Sequence, residues 1–226
     1  MSDFFQPIVG STTQNGVVVP PIIYGTAQKS DPAMIVSALV SEATALDSAC
    51  QPKYYDEEVV GQGLQVAFQA KKDGGLGISR ENIYIQSKFT TPSGHSSSTL
   101  PYLASDSLPT MVEKSIRLTL KRLQVQYLDT LLLHAPMSRM EETLEVWKAM
   151  ESLVGKETRV IGICNVDILV LQELYDTAVV KPSIVQNRFG LIMDMIKTCG
   201  HIVKITELFI KPFGLYQQII DFFVLA

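Results

Sequence analysis

The sequence predicts an α/β fold built on a parallel sheet. Two observations carry that expectation. Short apolar runs alternate with amphipathic stretches of about ten or more residues along most of the 226-residue chain, the pattern of successive βαβ units. Polar residues also close one run after another, at the position where the strands of a parallel sheet all end on one surface. The right-handed crossover rule leaves two arrangements, a doubly wound sheet or a barrel, and periodicity does not separate them.

The elements follow in order. Ile22-Ile23-Tyr24 is a first strand ending in Gly25-Thr26, and a helix is expected over 32–45. Ala45-Leu46 leads into Asp47, and a second helix is expected over 56–72. Residues 82–87 form a third strand ending at Lys88. The Gly/Ser/Pro-rich stretch 92–98 is the longest loop, and a third helix covers 108–123. Residues 130–133 are a wholly apolar strand ending at His134. A helix over 140–153 carries Glu141 and Glu142 in its first turn, where negative charge favours the macrodipole. Residues 159–163 form a strand ending at Cys164-Asn165, 169–175 a helix, and 183–186 a sixth strand.

Composition narrows the function classes. The net charge of -4 is mild and the two signs are interspersed, so no basic stripe points to nucleic acid. Three cysteines, Cys50, Cys164 and Cys199, are too few and too scattered for a disulfide framework or a zinc site, which suits a reducing compartment. The first ten residues lack the charged and apolar regions of a secretory signal. The apolar stretch 202–226 is interrupted by Lys204, Glu207, Lys211 and Asp221 and makes a poor membrane span. A cytoplasmic protein of one domain is the expectation.

Asp47, Lys88, His134 and Asn165 each follow a strand. Singly, each has an ordinary explanation: a turn-capping aspartate, a solvated lysine, a loop histidine, a turn asparagine. Four at equivalent places, in order, point instead to one shared site. Around them, the chain resembles the aldo-keto reductases over about residues 17–189. The matching motifs are Gly25-Thr26, Asp47-Ser48-Ala49, Glu57-Glu58-Val59-Val60-Gly61, Ser87-Lys88-Phe89, Leu131-Leu132-Leu133-His134-Ala135-Pro136, Ile161-Gly162-Ile163-Cys164-Asn165 and Val185-Gln186-Asn187-Arg188-Phe189.

The resemblance implies a (β/α)8 TIM-type barrel, here incomplete at about six βα units, and an NADPH-dependent reductase of small aldehydes or ketones. A tyrosine would protonate the developing alkoxide as general acid. Lys88, oriented by Asp47, would make that phenol more acidic, since a nearby cation favours the phenolate. His134 would hydrogen-bond the carbonyl oxygen. Gly25, Thr26, Asp47, Cys164, Asn165 and Gln186 fall at cofactor-binding positions, with Asn165 and Gln186 on the nicotinamide carboxamide. Two tyrosines compete for the acid. The common Y-x-N-E pattern selects Tyr54, whereas a family branch reading Q-P-K-H-Y matches Gln51-Pro52-Lys53-Tyr54-Tyr55 and selects Tyr55, the preferred choice. The chain departs from the pattern at Glu42, Thr44, Asp56 and Cys164, the last replacing a serine and its better hydroxyl donor.

After Phe189 the resemblance stops, and residues 190–226 read as an aberrant tail. Joining the last base of each codon to the first two of the next allows, among the choices that codon degeneracy leaves, a family-like K-D-N-G-I-V-Y-Q-T run. Met193-Asp194, for example, must then give glycine. A shifted reading frame from residue 190 onward is therefore expected. Such a chain would lack strands seven and eight with their phosphate-gripping loops, leave strands one and six with unpaired edges, and bind NADPH weakly or not at all. Besides the reductase, two readings stay open: a non-catalytic truncated fragment, and a regulatory binding subunit on the same fold.

Overall fold

The computed structural model describes residues 11–13, 15–188 and 220–224. The expected tail therefore lies outside the described residues except for its 220–224 segment, as does Cys199.

The chain opens with an antiparallel hairpin of β1 (Ser11–Thr12) and β2 (Val18–Val19). Its turn passes through Gly16 at a left-handed φ of 76°. Periodicity does not anticipate this hairpin, although Asn15-Gly16 is a strong turn signal.

The main sheet runs β3 (Tyr24–Gly25), β4 (Ala45–Asp47), β5 (Tyr84–Phe89), β6 (Leu128–Leu133), β7 (Thr158–Cys164), β8 (Ile184–Arg188) and β9 (Ile220–Val224) in that spatial order. From β3 to β8 every pairing is parallel, and each strand lies beside its neighbour in sequence. A doubly wound sheet reverses its order at a switch point. This one never does, so the alternative that periodicity left open resolves to a barrel-type sheet, curled and incomplete, with six parallel strands.

Residue alternation places a core on each face. Leu131 and Leu133 of β6, with Ile161 and Ile163 of β7, pack with the helices; Leu132, Val160 and Cys164 join Ala45, Tyr84 and Ile184 on the other face. Val17 and Val19 of the opening hairpin complete this second, inner cluster. Gly162 leaves no room there for a side chain, since a Cβ would stand 2.3 Å from the Ile184 carbonyl oxygen.

Among the described residues, five α-helices cover the outer face. The first, α1 (Pro32–Val40), begins at Asp31, whose carboxylate accepts from the Ala33 amide, and has proline in its first turn. It ends five residues short of the expected 32–45. Ser41 caps it, Glu42 turns at φ 67°, and Ala45 already belongs to β4, so the reversal consumes what periodicity assigns to helix. The second, α2 (Glu57–Phe68), is capped by Asp56, which accepts from the Glu58 and Val59 amides. It also stops early: Gln69 is extended, and 71–73 form a separate 3-10 turn ended by left-handed Gly74. Next come α3 (Leu108–Leu123), α4 (Met140–Glu151) and α5 (Ile168–Thr177), within two residues of expectation.

Two glycines let α2 nest between its neighbours. A Cβ on Gly61 would lie 2.0 Å from the Arg122 carbonyl oxygen of α3, and one on Gly63 would lie 2.6 Å from Ile35 Cβ of α1. At the other end of the strands, buried Asp129 accepts from Arg80 at 2.9 Å, Arg159 at 3.0 Å and the Ile85 amide at 2.9 Å, tying β5, β6 and β7 together.

One expectation about the edges is corrected. The sixth parallel strand, β8, is not left open: β9 pairs with it antiparallel, Val185 opposite Phe223. Its exposed N–H and C=O row is a template for any extended segment, and Ile220–Val224 supplies one. β3 remains at the end of the sheet.

Candidate active site

The strand register assembles the site. Parallel pairing sets Asp47 beside Gln86, and Phe89 beside Leu133. The residues after those strand ends, and the loop 48–55, therefore share one mouth.

Its centre is a buried ion pair. Lys88 Nζ donates to Asp47 Oδ1 at 2.6 Å and to the Ser48 carbonyl at 2.8 Å, and both side chains are almost wholly enclosed. Burial pulls the Lys88 ammonium toward its neutral form, but Asp47 and Tyr55 more than offset it, so its pKa is raised and the charge is held. The Tyr55 ring lies over this cation, 5.1 Å from Nζ to the centroid. His134 meets the same ring edge-on, with centroids 6.4 Å apart and planes at 72°.

Tyr54 goes elsewhere. It is 43% exposed, packs beneath Lys53 Nζ at 5.0 Å, and accepts the Gln28 amide through its carbonyl. Of the two tyrosines, only Tyr55 faces Lys88 and His134.

The phenol's acidity departs from expectation. Lys88 does lower it, but burial is the larger influence and Asp47 opposes the lysine, so Tyr55 lies above its ordinary value. In the sequence only the cation is visible, and the desolvation that outweighs it depends on the closed surroundings. His134 moves the other way: burial and then Lys88 lower it to about 3, which leaves a neutral imidazole. Thr90 Oγ1 lies 2.8 Å from its Nδ1.

The cofactor-position residues have different partners. Asn165, exposed and left-handed at φ 51°, sends Nδ2 to the His134 carbonyl at 2.8 Å. Gln186 joins the ion pair, donating from Nε2 to Asp47 Oδ2 at 3.1 Å and accepting from the Cys164 thiol at 3.2 Å. The weak Cys164 donor is thus spent on Gln186. Thr26 is fully buried and gives both its amide and its hydroxyl to the Asp47 carbonyl at 2.9 Å. Gly25 lies within β3 with open space on its side-chain side. Of the two side-chain amides at these positions, Gln186 touches the Lys88–Asp47 pair and Asn165 the His134 carbonyl.

One residue of the cluster was not foreseen. Gln86 Nε2 donates to Asp47 Oδ1 at 2.8 Å, so Asp47 is clamped by Lys88 and by two glutamines. The signal was available, since Gln86 stands two residues before Lys88 and a strand returns to the same face every second residue.

Comparison with known proteins bears on the family and the fold. The family model for the aldo/keto reductase family matches residues 24–202, running past Phe189 where residue-level resemblance is expected to end. A methylglyoxal reductase of Escherichia coli is 31% identical over 178 residues, 76% of this chain and 55% of that protein. An NAD(P)H-dependent D-xylose reductase of Scheffersomyces stipitis is 30% identical over 158 residues, 59% of this chain and 44% of that one. A crystal structure of an aldo/keto reductase from Brucella melitensis superposes with a TM-score of 0.60 at 25% identity, covering 76% of this chain and 60% of that chain. The chain thus spans about half the length of the curated relatives it matches. The matched family model, the uninterrupted parallel order of six strands and the Asp47–Lys88 mouth coincide over one stretch, and the chain belongs to the aldo/keto reductase family.

Proposed function

We propose that this site is built to reduce a small aldehyde or ketone with a reduced nicotinamide, preferentially NADPH. The observation that carries the proposal is the Lys88–Asp47 pair at 2.6 Å beneath the Tyr55 ring, with neutral His134 against the same ring. The name of the xylose reductase relative includes NAD(P)H dependence, and that of the bacterial relative a small reactive carbonyl.

When bound, the nicotinamide supplies hydride. Everything else falls to the chain. Asn165 and Gln186 would hold the carboxamide, Gln186 by exchanging a present partner. His134, being neutral, offers one ring N–H to the carbonyl oxygen and leaves no competing positive charge. Tyr55 donates its proton to that oxygen as alkoxide character develops. A phenol raised by burial is fully protonated at neutral pH, so the donor is loaded before the reaction begins. Lys88 then stabilises the phenolate left behind, while Asp47 with Gln86 and Gln186 fixes the ammonium.

A second reading, on the same fold, is a chain that holds this mouth without catalysing turnover. Titrating the purified chain with NADPH by nucleotide fluorescence, then adding a small aldehyde, separates the two. Saturable binding with aldehyde-dependent NADPH oxidation, abolished in Tyr55→Phe but retained in Tyr54→Phe, supports the reductase. Absence of binding, or turnover that survives Tyr55→Phe, defeats it.

A further inference from the structure

Thr90 has no place in the machinery described so far, yet it is the side chain hydrogen-bonded to the His134 ring. Register puts it there. Phe89 and Leu133 are paired across β5 and β6, the His134 amide donates to the Phe89 carbonyl at 2.9 Å, and the next residue on each strand is Thr90 or His134. Thr90 is only 2% exposed. Its own carbonyl accepts from the Tyr102 hydroxyl at 3.0 Å and from His95 Nε2 at 3.2 Å, so the main chain is held from two sides. The hydroxyl is thereby placed, not free to wander.

A neutral imidazole has one protonated and one bare nitrogen, and the hydrogen bond at one decides the state of the other. His134 is neutral because burial and Lys88 both oppose its charging. If Nδ1 carried the proton, a lone pair on Nε2 would remain for an incoming carbonyl oxygen, and the two would repel. If Thr90 donates to Nδ1, the proton sits on Nε2 and is available to that oxygen. A threonine hydroxyl rotates to suit either role, so the ring and the hydroxyl settle together.

We propose that Thr90 is a positioning residue, whose hydroxyl donates to His134 Nδ1 and keeps the ring proton on Nε2 for a substrate carbonyl. This rests on the reduction reading of His134, and its test is chosen to separate the two. Nitrogen-15 NMR of histidine-labelled full chain reports the ring directly, with His134 assigned by its loss in His134→Asn. The native ring is expected to show a bare, hydrogen-bonded Nδ1 and a protonated Nε2. Thr90→Val preserves shape and removes the donor, so the Nδ1 resonance shifts toward that of an unbonded nitrogen, and Thr90→Ser restores it. In aldehyde-dependent NADPH oxidation by the same proteins, Thr90→Val lowers kcat/KM about tenfold, the loss expected for one buried hydrogen bond, and Thr90→Ser recovers it. A protonated Nδ1 in the native chain, or an Nδ1 indifferent to Thr90→Val, overturns the proposal. If the ring nitrogens respond as expected while reduction is absent or insensitive, the hold of Thr90 on the ring is supported and the carbonyl reading of His134 fails.

Discussion

The contribution of Glu57 to the stability of this fold should fall as pH rises. The residue opens α2, is 2% exposed, and accepts from Ser87 Oγ at 2.7 Å and Thr119 Oγ1 at 3.1 Å, joining β5 to α3. Burial raises its pKa from 4.5 to about 6; the two hydroxyls, then Arg122 and Lys88, restrain the rise. An acid whose folded value exceeds its unfolded value binds more protons when folded, so its contribution is complete below pH 4.5 and is lost as pH rises through about 6. At about 1.4 kcal/mol per unit, the loss is about 2 kcal/mol. Glu57→Gln keeps the shape, and either hydroxyl can accept from the new amide. The expected result is a stability gain over the native chain that grows by about 2 kcal/mol between pH 4.5 and 7.5. Urea unfolding followed by the fluorescence of buried Trp147 measures it, and taking the difference between the proteins cancels every other titrating group. A Glu57→Gln difference that stays flat across that range refutes the reasoning.

Other substitutions test the packing and the ion pair. Gly61→Ala should destabilise by about 2 kcal/mol in chemical denaturation, because the clash with the Arg122 carbonyl outweighs the gain in helix propensity. Lys88→Met leaves the Asp47 carboxylate enclosed without its cation and should cost about 3 kcal/mol; adding Asp47→Asn should recover part of that, a non-additivity that a double-mutant cycle reads directly. Asp129→Ala should cost about 3 kcal/mol, nearly all of it from Arg80 and the Ile85 amide, so Arg159→Ala should shift the unfolding midpoint only slightly, its side chain being half exposed.

What was legible in the sequence is what repeats locally. Strand ends announce themselves because an apolar run stops at a polar residue, which puts Asp47, Lys88, His134 and Asn165 on one mouth. Helix starts carry a local signal of their own, Asp31, Asp56 and Asp167 being side chains that satisfy free amides. Helix ends were not. Val40 and Phe68 continue the apolar rhythm, and only the geometry of return to the next strand stops them.

The parts that escaped are those in which two distant segments decide together. Gln186 reaches Asp47 across 139 residues, and only the curl of the sheet brings the ends of β4 and β8 within hydrogen-bond distance. The Tyr55 phenol is a contest between a cation the sequence displays and a burial it does not. The edge of β8 belongs to the same class: a strand that in a complete barrel would meet a parallel neighbour offers its amides to whichever extended segment is near, and Ile220–Val224 takes the place in the opposite direction. The described mouth is therefore assembled by the ends of β3 to β8 and the loops that follow β3 to β7.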